Sequence, residues 1–209
     1  GIGYVVPAGQ HITLRRSHQV SHAASSGDQT IGPSNEADQA VAWLDHGTAP
    51  KGAGYEYAIL INRPAADVEK FSQTLGGNGP KPYTVIQKNT DAHILRDEAT
   101  GTTAYAIFEP NRALASQSLI ESASNSLLAM QKCSGHGVLL TLCDPVLHTK
   151  PNVYPDEYTP VETTLVLRGS WQAGKLPPNI RVTPAGDTTV ITITSADGKE
   201  AEIDLTPQQ

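Results

Sequence analysis

Thr189-Val190-Ile191-Thr192-Ile193 is followed, after Ala196-Asp197-Gly198, by Ala201-Glu202-Ile203-Asp204-Leu205. Apolar and polar residues alternate through both runs, a period of two that puts one side of each strand in a core and the other in solvent. Asp-Gly between them is a turn pair that accepts left-handed backbone. The stretch predicts a β-hairpin with one buried face. Its register follows because opposed residues of an antiparallel pair point to the same side. A two-residue turn at Asp197-Gly198 would oppose Ile193 with Glu202. A three-residue loop, Ala196-Asp197-Gly198, opposes Ile193 with Ala201, Ile191 with Ile203 and Thr189 with Leu205. The three-residue loop is the expectation, with Gly198 in its left-handed bulge position.

The same signal extends through the chain. Ile12 to Val20, Ala40 to Leu44 and Tyr55 to Ile61 read as strands of one sheet system, separated by a mobile surface loop, Ser21 to Gln39, rich in Ser, Gly, Asn and Asp. Tyr83 to Gln87, His93 to Arg96 and Thr103 to Phe108 follow as strands. A second β unit takes Leu127 to Met130, Val138 to Leu142, Thr163 to Leu167, Ile180 to Val182 and the two runs quoted above. Val138 to Leu142, apolar on both faces apart from Thr141, reads as a central strand. Arg112 to Asn125 has no clean periodicity and reads as the link between the units. One helix is expected, from Pro64 to about Leu75. Pro suits its first turn, Asp67 and Glu69 favour its positive end, Gly76 offers a stop, and Val68, Phe71 and Leu75 share a face. The fold class is therefore all-β, an antiparallel β-sandwich architecture with one short helix.

Fifteen Lys and Arg against 21 Asp and Glu leave a net charge of -6. That balance opposes a nucleic-acid role, and any contact with a polyanion must come from a local cationic patch. No apolar run is long enough to span a bilayer, so no membrane partner is expected. A start at Gly1 without Met reads as a processed or excised piece of something longer. Cys133 and Cys143 cannot make a Cys-rich zinc site. With Ser134-Gly135-His136-Gly137 as a hairpin turn they sit at opposite ends of the pair, which favours buried free thiols.

Little in the chain resembles catalytic machinery. The seven histidines, His11, His18, His22, His46, His93, His136 and His148, show no recognised ligand spacing, and His18 and His22 lie in strand and loop rather than on a helix. There is no Gly-x-Ser-x-Gly elbow and no phosphate-binding loop, so neither a metal nor another cofactor is implied. Arg15-Arg16-Ser17-His18 is the densest cationic cluster. On a strand Arg16 and His18 share a face, which makes them the candidate substrate-binding pair, since Arg suits bidentate contacts to carboxylate or sulfate. Trp43 and Trp171 could stack on sugar rings, although core packing is the first reading of both. The most distinctive stretch is Trp43-Leu44-Asp45-His46-Gly47, Ala49-Pro50-Lys51 and Gly54-Tyr55-Glu56-Tyr57: a strand, a Gly/Pro turn and a strand. His46, Tyr55 and Tyr57 could mimic a base-and-acid set on paper.

That stretch resembles the Asp-His-Gly...Pro-Lys...Tyr-x-Tyr segment in the large β-sandwich of polysaccharide lyase family eight. The likeness to the chondroitin ABC lyase type continues through Gly3-Tyr4, Arg16 to Val20, Tyr83 to Leu95, Gly101 to Pro110 and Leu165 to Trp171. The resemblance implies that residues 1–112 end a large sandwich domain and 113–209 form a small C-terminal one. It also implies a secreted or periplasmic bacterial parent that cleaves chondroitin sulfate or hyaluronan by β-elimination. In the family the catalytic His, Tyr, Arg and Asn lie on an upstream helical toroid, the expected partner of this chain. No catalytic residue is therefore carried over. The alternative is a stand-alone binding module for acidic glycans, using Arg15, Arg16, Lys51 or an exposed Trp.

Overall fold

Alternating side chains and Gly/Pro turns shape nearly every element of this chain. The computed structural model describes residues 1–21, 35–135, 137–150 and 157–208. They divide into two units, Gly1–Pro80 and Lys81–Gln209.

In the first unit, β1 (Ile2–Val5) pairs antiparallel with β4 (Ala58–Ile61), and β2 (Ile12–Ser21) with β3 (Asn35–Leu44). α1 (Ala65–Gly76) follows with Pro64 at its N-cap, and the Gly77 N–H closes it by donating to the Gln73 carbonyl at 2.9 Å. Val68, Phe71 and Leu75 are its half-buried residues, as the shared face requires. Gly3 lets the helix approach, for a Cβ there would run into the Val68 side chain. Gln10 ties the loop regions by donating to the Glu56 carbonyl at 2.7 Å and accepting from its N–H at 2.8 Å. Val5 is the one fully buried apolar side chain among the described residues of this unit.

The second unit is a sandwich. Its seven-stranded sheet runs in the order β12 (Trp171–Ala173), β15 (Ala201–Pro207), β10 (Gly137–Cys143), β9 (Leu127–Ser134), β7 (Thr103–Ile107), β6 (Ala92–Asp97) and β5 (Tyr83–Lys88). The four-stranded sheet is β13 (Ile180–Ala185), β14 (Thr188–Ser195), β11 (Val161–Arg168) and β8 (Ile120–Ala123). Ile94, Leu140, Ile203 and Leu205 from the first sheet join Ile120, Leu165, Leu167 and Ile191 from the second in one core. Each such side chain is worth about 1.5–3 kcal/mol of burial, so the sandwich holds most of the hydrophobic stabilisation.

The all-β class, the single helix and the central place of β10 agree with the sequence reading. Several details differ. The runs 189–193 and 201–205 are not a hairpin: Ile191 opposes Leu165 and Val182, whereas Ile203 opposes Leu140. The turn between them crosses from one sheet to the other, with both Asp197 and Gly198 left-handed and the Lys199 N–H donating to the Ala196 carbonyl at 3.3 Å. Ile191 and Ile203 are nonetheless both buried, because inward faces of two opposed sheets meet in the same core as a hairpin's buried face would. Strands 12–21, 35–44 and 58–61 form two separate ribbons rather than one sheet system. The expected loop 21–39 falls mainly outside the described residues, but Asn35 to Gln39 are strand, held by pairing with Ser21 to Ser17. Residues 112–125 do not merely link: Leu114 and Ile120 enter the core, and β8 departs from simple alternation where its register with β11 shifts at Val166 and Leu167. The two units divide at Pro80/Lys81, with β5, β6 and β7 joined to β9 in one sheet.

Both cysteines are free thiols, but neither is fully buried. Cys133 is exposed near the turn end of β9. Cys143, at the far end of β10, places Sγ 3.0 Å from the Gly198 carbonyl, and burial followed by the charges of Asp144 and Glu200 pushes its thiol up from the ordinary value.

Candidate functional site

The β2–β3 ribbon presents two faces, and register assigns every side chain to one of them. Ile12, Leu14, Arg16 and His18 oppose Leu44, Ala42, Ala40 and Asp38. Arg16 and His18 thus share a face, as alternation predicts. Their surroundings differ. His18 stands between Glu36, at 3.4 Å, and Asp38, at 3.5 Å, with all three side chains more than half exposed. Exposed pairs of this kind contribute little to stability and mainly cancel the local field. Arg16 is exposed, lies beside Ala40, and has no ion pair among the described residues. The ribbon changes character along its length, apolar where Ile12, Leu14, Ala42 and Leu44 lie and charged beyond Arg16.

The apolar end of that face opens into a groove of about 730 Å³ lined also by Tyr4, Trp43, His46, Tyr55 and Tyr57. Asp45 accepts the Gly47 N–H at 2.8 Å, and left-handed backbone at Gly47, Ala49 and Gly52 turns the chain back toward Tyr55. Tyr55 and Tyr57, two apart just ahead of β4, stack on one side. His46, Tyr55 and Tyr57 form a row, with ring centroids 5.9 and 6.0 Å apart and planes inclined by 26° and 17°. Among the described residues no Asp, Glu, Lys or Arg lines the groove.

Trp43, for which core packing is the first reading, is instead 43% exposed; it borders the groove but opposes Thr13, on the ribbon face away from Ile12 and Leu14. Among the described residues the ribbon that carries it is a separate two-stranded sheet, and alternation that would normally bury an indole leaves this one open. Trp171 follows the sequence reading: it packs half-buried on the sandwich core and donates from Nε1 to the Arg168 carbonyl at 2.7 Å. His46, Tyr55 and Tyr57 come together, but as stacked rings and not as a hydrogen-bonded acid and base. The groove's participation of Tyr4, Ile12 and Leu14 was missed. The ring-rich segment 43–57 was its only local signal, since the other walls come from strands far away in sequence.

The other histidines serve local roles. His93 meets Phe108 edge-on with centroids 5.0 Å apart, and His148 Nε2 lies 3.0 Å from the buried Asp144 carboxylate. His22 and His136 lie outside the described residues. Among the described residues no His, Cys, Asp and Glu side chains gather as a metal-holding group, and no helix is long and apolar enough to cross a membrane.

Comparison with known proteins places this geometry. Residues 1–74 match the super-sandwich domain of polysaccharide lyase family 8. The chain is 27% identical to the chondroitin sulfate ABC endolyase of Proteus vulgaris, covering 99% of this chain and 19% of that protein. It is 29% identical to the chondroitin sulfate ABC exolyase of Bacteroides thetaiotaomicron, covering 98% and 21%. The chain thus spans about a fifth of the length of these relatives. In fold it matches the Streptomyces coelicolor A3 chondroitin AC lyase solved with chondroitin sulphate, at a TM-score of 0.70 and 17% identity over 100% of this chain and 26% of that one. A Paenibacillus xanthan lyase matches at a TM-score of 0.71 and 16% identity, over 100% and 19%. The family match thus lies in the first unit, and the chain is similar along nearly its whole length to chondroitin sulfate ABC lyases.

Proposed function

We propose that this chain is the non-catalytic β region of a bacterial glycosaminoglycan lyase. It supports a catalytic helical domain carried elsewhere in the same polypeptide, and helps to frame the glycan cleft. The parent reaction is β-elimination of a uronate-containing polysaccharide such as chondroitin sulfate or hyaluronan, outside the cytoplasm in the secreted or periplasmic space.

One observation carries the reading: the outer face of the β1–β4 ribbon. Its inner face, with Gly3, Val5 and Leu60, turns to α1. On the other side Ile2 opposes Ile61 and Tyr4 opposes Ile59, and these four are 62%, 74%, 64% and 47% exposed. An apolar face of that kind on a short two-stranded ribbon calls for a cover, because an isolated ribbon is marginal in water. The relatives are about five times longer than this chain, and a parent of that length would supply the cover. Catalysis of β-elimination requires a base and a group that neutralises the carboxylate, held together at one centre. The stacked His46, Tyr55 and Tyr57 rings offer no such pair.

The test is turnover by the purified chain. With chondroitin sulfate or hyaluronan, no ultraviolet-absorbing unsaturated product is expected between about pH 5 and 9, the range in which a side-chain base would operate. Turnover that disappears in both His46→Ala and Tyr57→Phe would overturn the reading and make the chain an enzyme in its own right.

A further inference from the structure

The sandwich of the second unit carries an apolar surface that its own core does not use, the outer face of the seven-stranded sheet. Register lays that face out in rows. Val85, Leu95, Ala104, Met130, Thr141 and Glu202 lie side by side across β5, β6, β7, β9, β10 and β15. In the adjacent outward row Lys88, His93, Ala106, Leu128 and Cys143 run from β5 to β10. Their neighbours along the strands, such as Ile94, Tyr105, Ala129 and Leu140, point into the core. Val85 and Leu95 are 37% exposed, Leu128 45% and Met130 51%. Single exposed apolar side chains need no explanation, but a contiguous set on adjoining strands marks an interaction site.

The face is uneven in a regular way. β9 raises Leu128 and Met130 as a ridge, and β7 beside it offers only Ala106 and Ala104. Charge is polarised as well: among the described residues the first row ends in an acid, Glu202 on β15, and the second begins with a base, Lys88 on β5. The next outward row, Lys132, Leu139 and Asp204, carries both signs and bounds the patch. In an opposed copy, a two-fold axis parallel to the strands and midway between β7 and β9 exchanges β7 with β9, β6 with β10 and β5 with β15. That operation sets ridge on alanine floor and base beside acid, each contact occurring twice. A surface that complements itself in both shape and charge selects a second copy over an unrelated partner.

We infer that this chain self-associates as a two-fold dimer through the outer face of the seven-stranded sheet. Met130 and Leu128 of one copy lie over Ala104 and Ala106 of the other, and Lys88 meets Glu202 at each edge. Five strand spacings of about 4.8 Å make the footprint about 24 Å wide, toward the small end of specific interfaces, so a Kd of about 1–100 μM is expected. The face lies within the second unit, and the inference rests neither on the supporting role nor on the groove of the first.

The experiment is sedimentation equilibrium of the whole chain from about 2 to 500 μM, which brackets that range. A closed monomer–dimer equilibrium is expected. Met130→Lys should weaken it at least about a hundredfold, because two charges enter one apolar centre. Ala104→Leu makes the face more apolar but fills the floor, and should weaken dimerisation about tenfold, whereas a merely sticky surface would associate more tightly. Lys88→Glu and Glu202→Lys should each weaken it about fivefold, and the double variant should return to within about twofold of the wild type. Ile61→Lys, on the β1–β4 ribbon, should leave it unchanged. All of these side chains are exposed, so circular dichroism and the melting temperature should match the wild type and folded proteins are compared. A chain that stays monomeric at the highest concentration overturns the inference and leaves the face to another occupant, such as the rest of a longer polypeptide. It is also overturned by open-ended oligomers, by a Met130→Lys variant that dimerises like the wild type, or by Ala104→Leu tightening the dimer. Loss of the dimer in Ile61→Lys, or a double charge variant no tighter than the single ones, would count against it equally.

Discussion

The hydroxyl of Tyr105 works in two directions inside the sandwich. It donates to Gln131 Oε1 at 2.6 Å and accepts the Leu119 N–H at 3.2 Å, while its ring is 3% exposed. Burial pushes its ionisation up from the ordinary value, outweighing the opposing backbone hydrogen bonds of Leu119 and Ile120. Tyr105→Phe leaves a donor and an acceptor without partners and should cost about 1–3 kcal/mol in urea unfolding, followed by Trp171 fluorescence in a Trp43→Phe background. The sign with pH follows from linkage. A raised folded value means that the stability tied to the neutral phenol is fully present below about pH 10, where the unfolded tyrosine titrates, and is lost as pH rises through the folded value. The alkaline loss should therefore be shallower in Tyr105→Phe than in the wild type. A Phe variant as stable as the wild type at neutral pH would show that the hydroxyl contributes nothing. None of this was legible beforehand: alternation marks Tyr105 as inward-facing, but its partners stand 14 and 26 residues away.

At the scale of elements, β10 shows how closely backbones are set. A Cβ added at Gly137 would collide with the Leu205 carbonyl of the neighbouring β15. The obstacle is main chain in a hydrogen-bonded ladder and cannot rotate away. Gly137→Ala should therefore cost about 1–3 kcal/mol, toward the upper end for overpacking. Gly174→Ala is the control, because a Cβ there meets nothing within 4 Å, and it should be neutral within about 0.5 kcal/mol. Equal urea midpoints for the two variants would refute the close approach. Element types were widely legible because the chain's periodicity is clean. The helix was found from Pro64, the first-turn acid and the spacing of Val68, Phe71 and Leu75, all local features. The short β8 and β12 were not, since Ile120–Ala123 and Trp171–Ala173 are too brief for a period to declare itself. Strand pairing failed at 189–205, where two alternating runs and a tight turn satisfy a hairpin and a crossing between sheets equally well.

For the whole molecule, the two units should differ sharply in autonomy. Residues 81–209 contain the buried sandwich core, whereas the described residues of 1–80 leave Ile2, Leu14, Trp43 and Ile61 exposed and bury one apolar side chain, Val5. Expressed alone, 81–209 should fold and melt cooperatively, while 1–80 should show poor amide dispersion and bind an apolar dye. Well-dispersed spectra from 1–80 would contradict this. Local patterning suffices for the all-β class, the helix, the central strand and the distinctive 43–57 segment. Each rests on hydrophobic period or turn chemistry within a few residues of itself. Only distant neighbours settle that strands 83–107 join the second unit, that Trp43 is exposed instead of in a core, and that Arg16 lies beyond an uncharged stretch while His18 is flanked by acids. Those outcomes depend on which distant strand supplies the neighbour, and alternation states only which way a side chain points, never what it meets there.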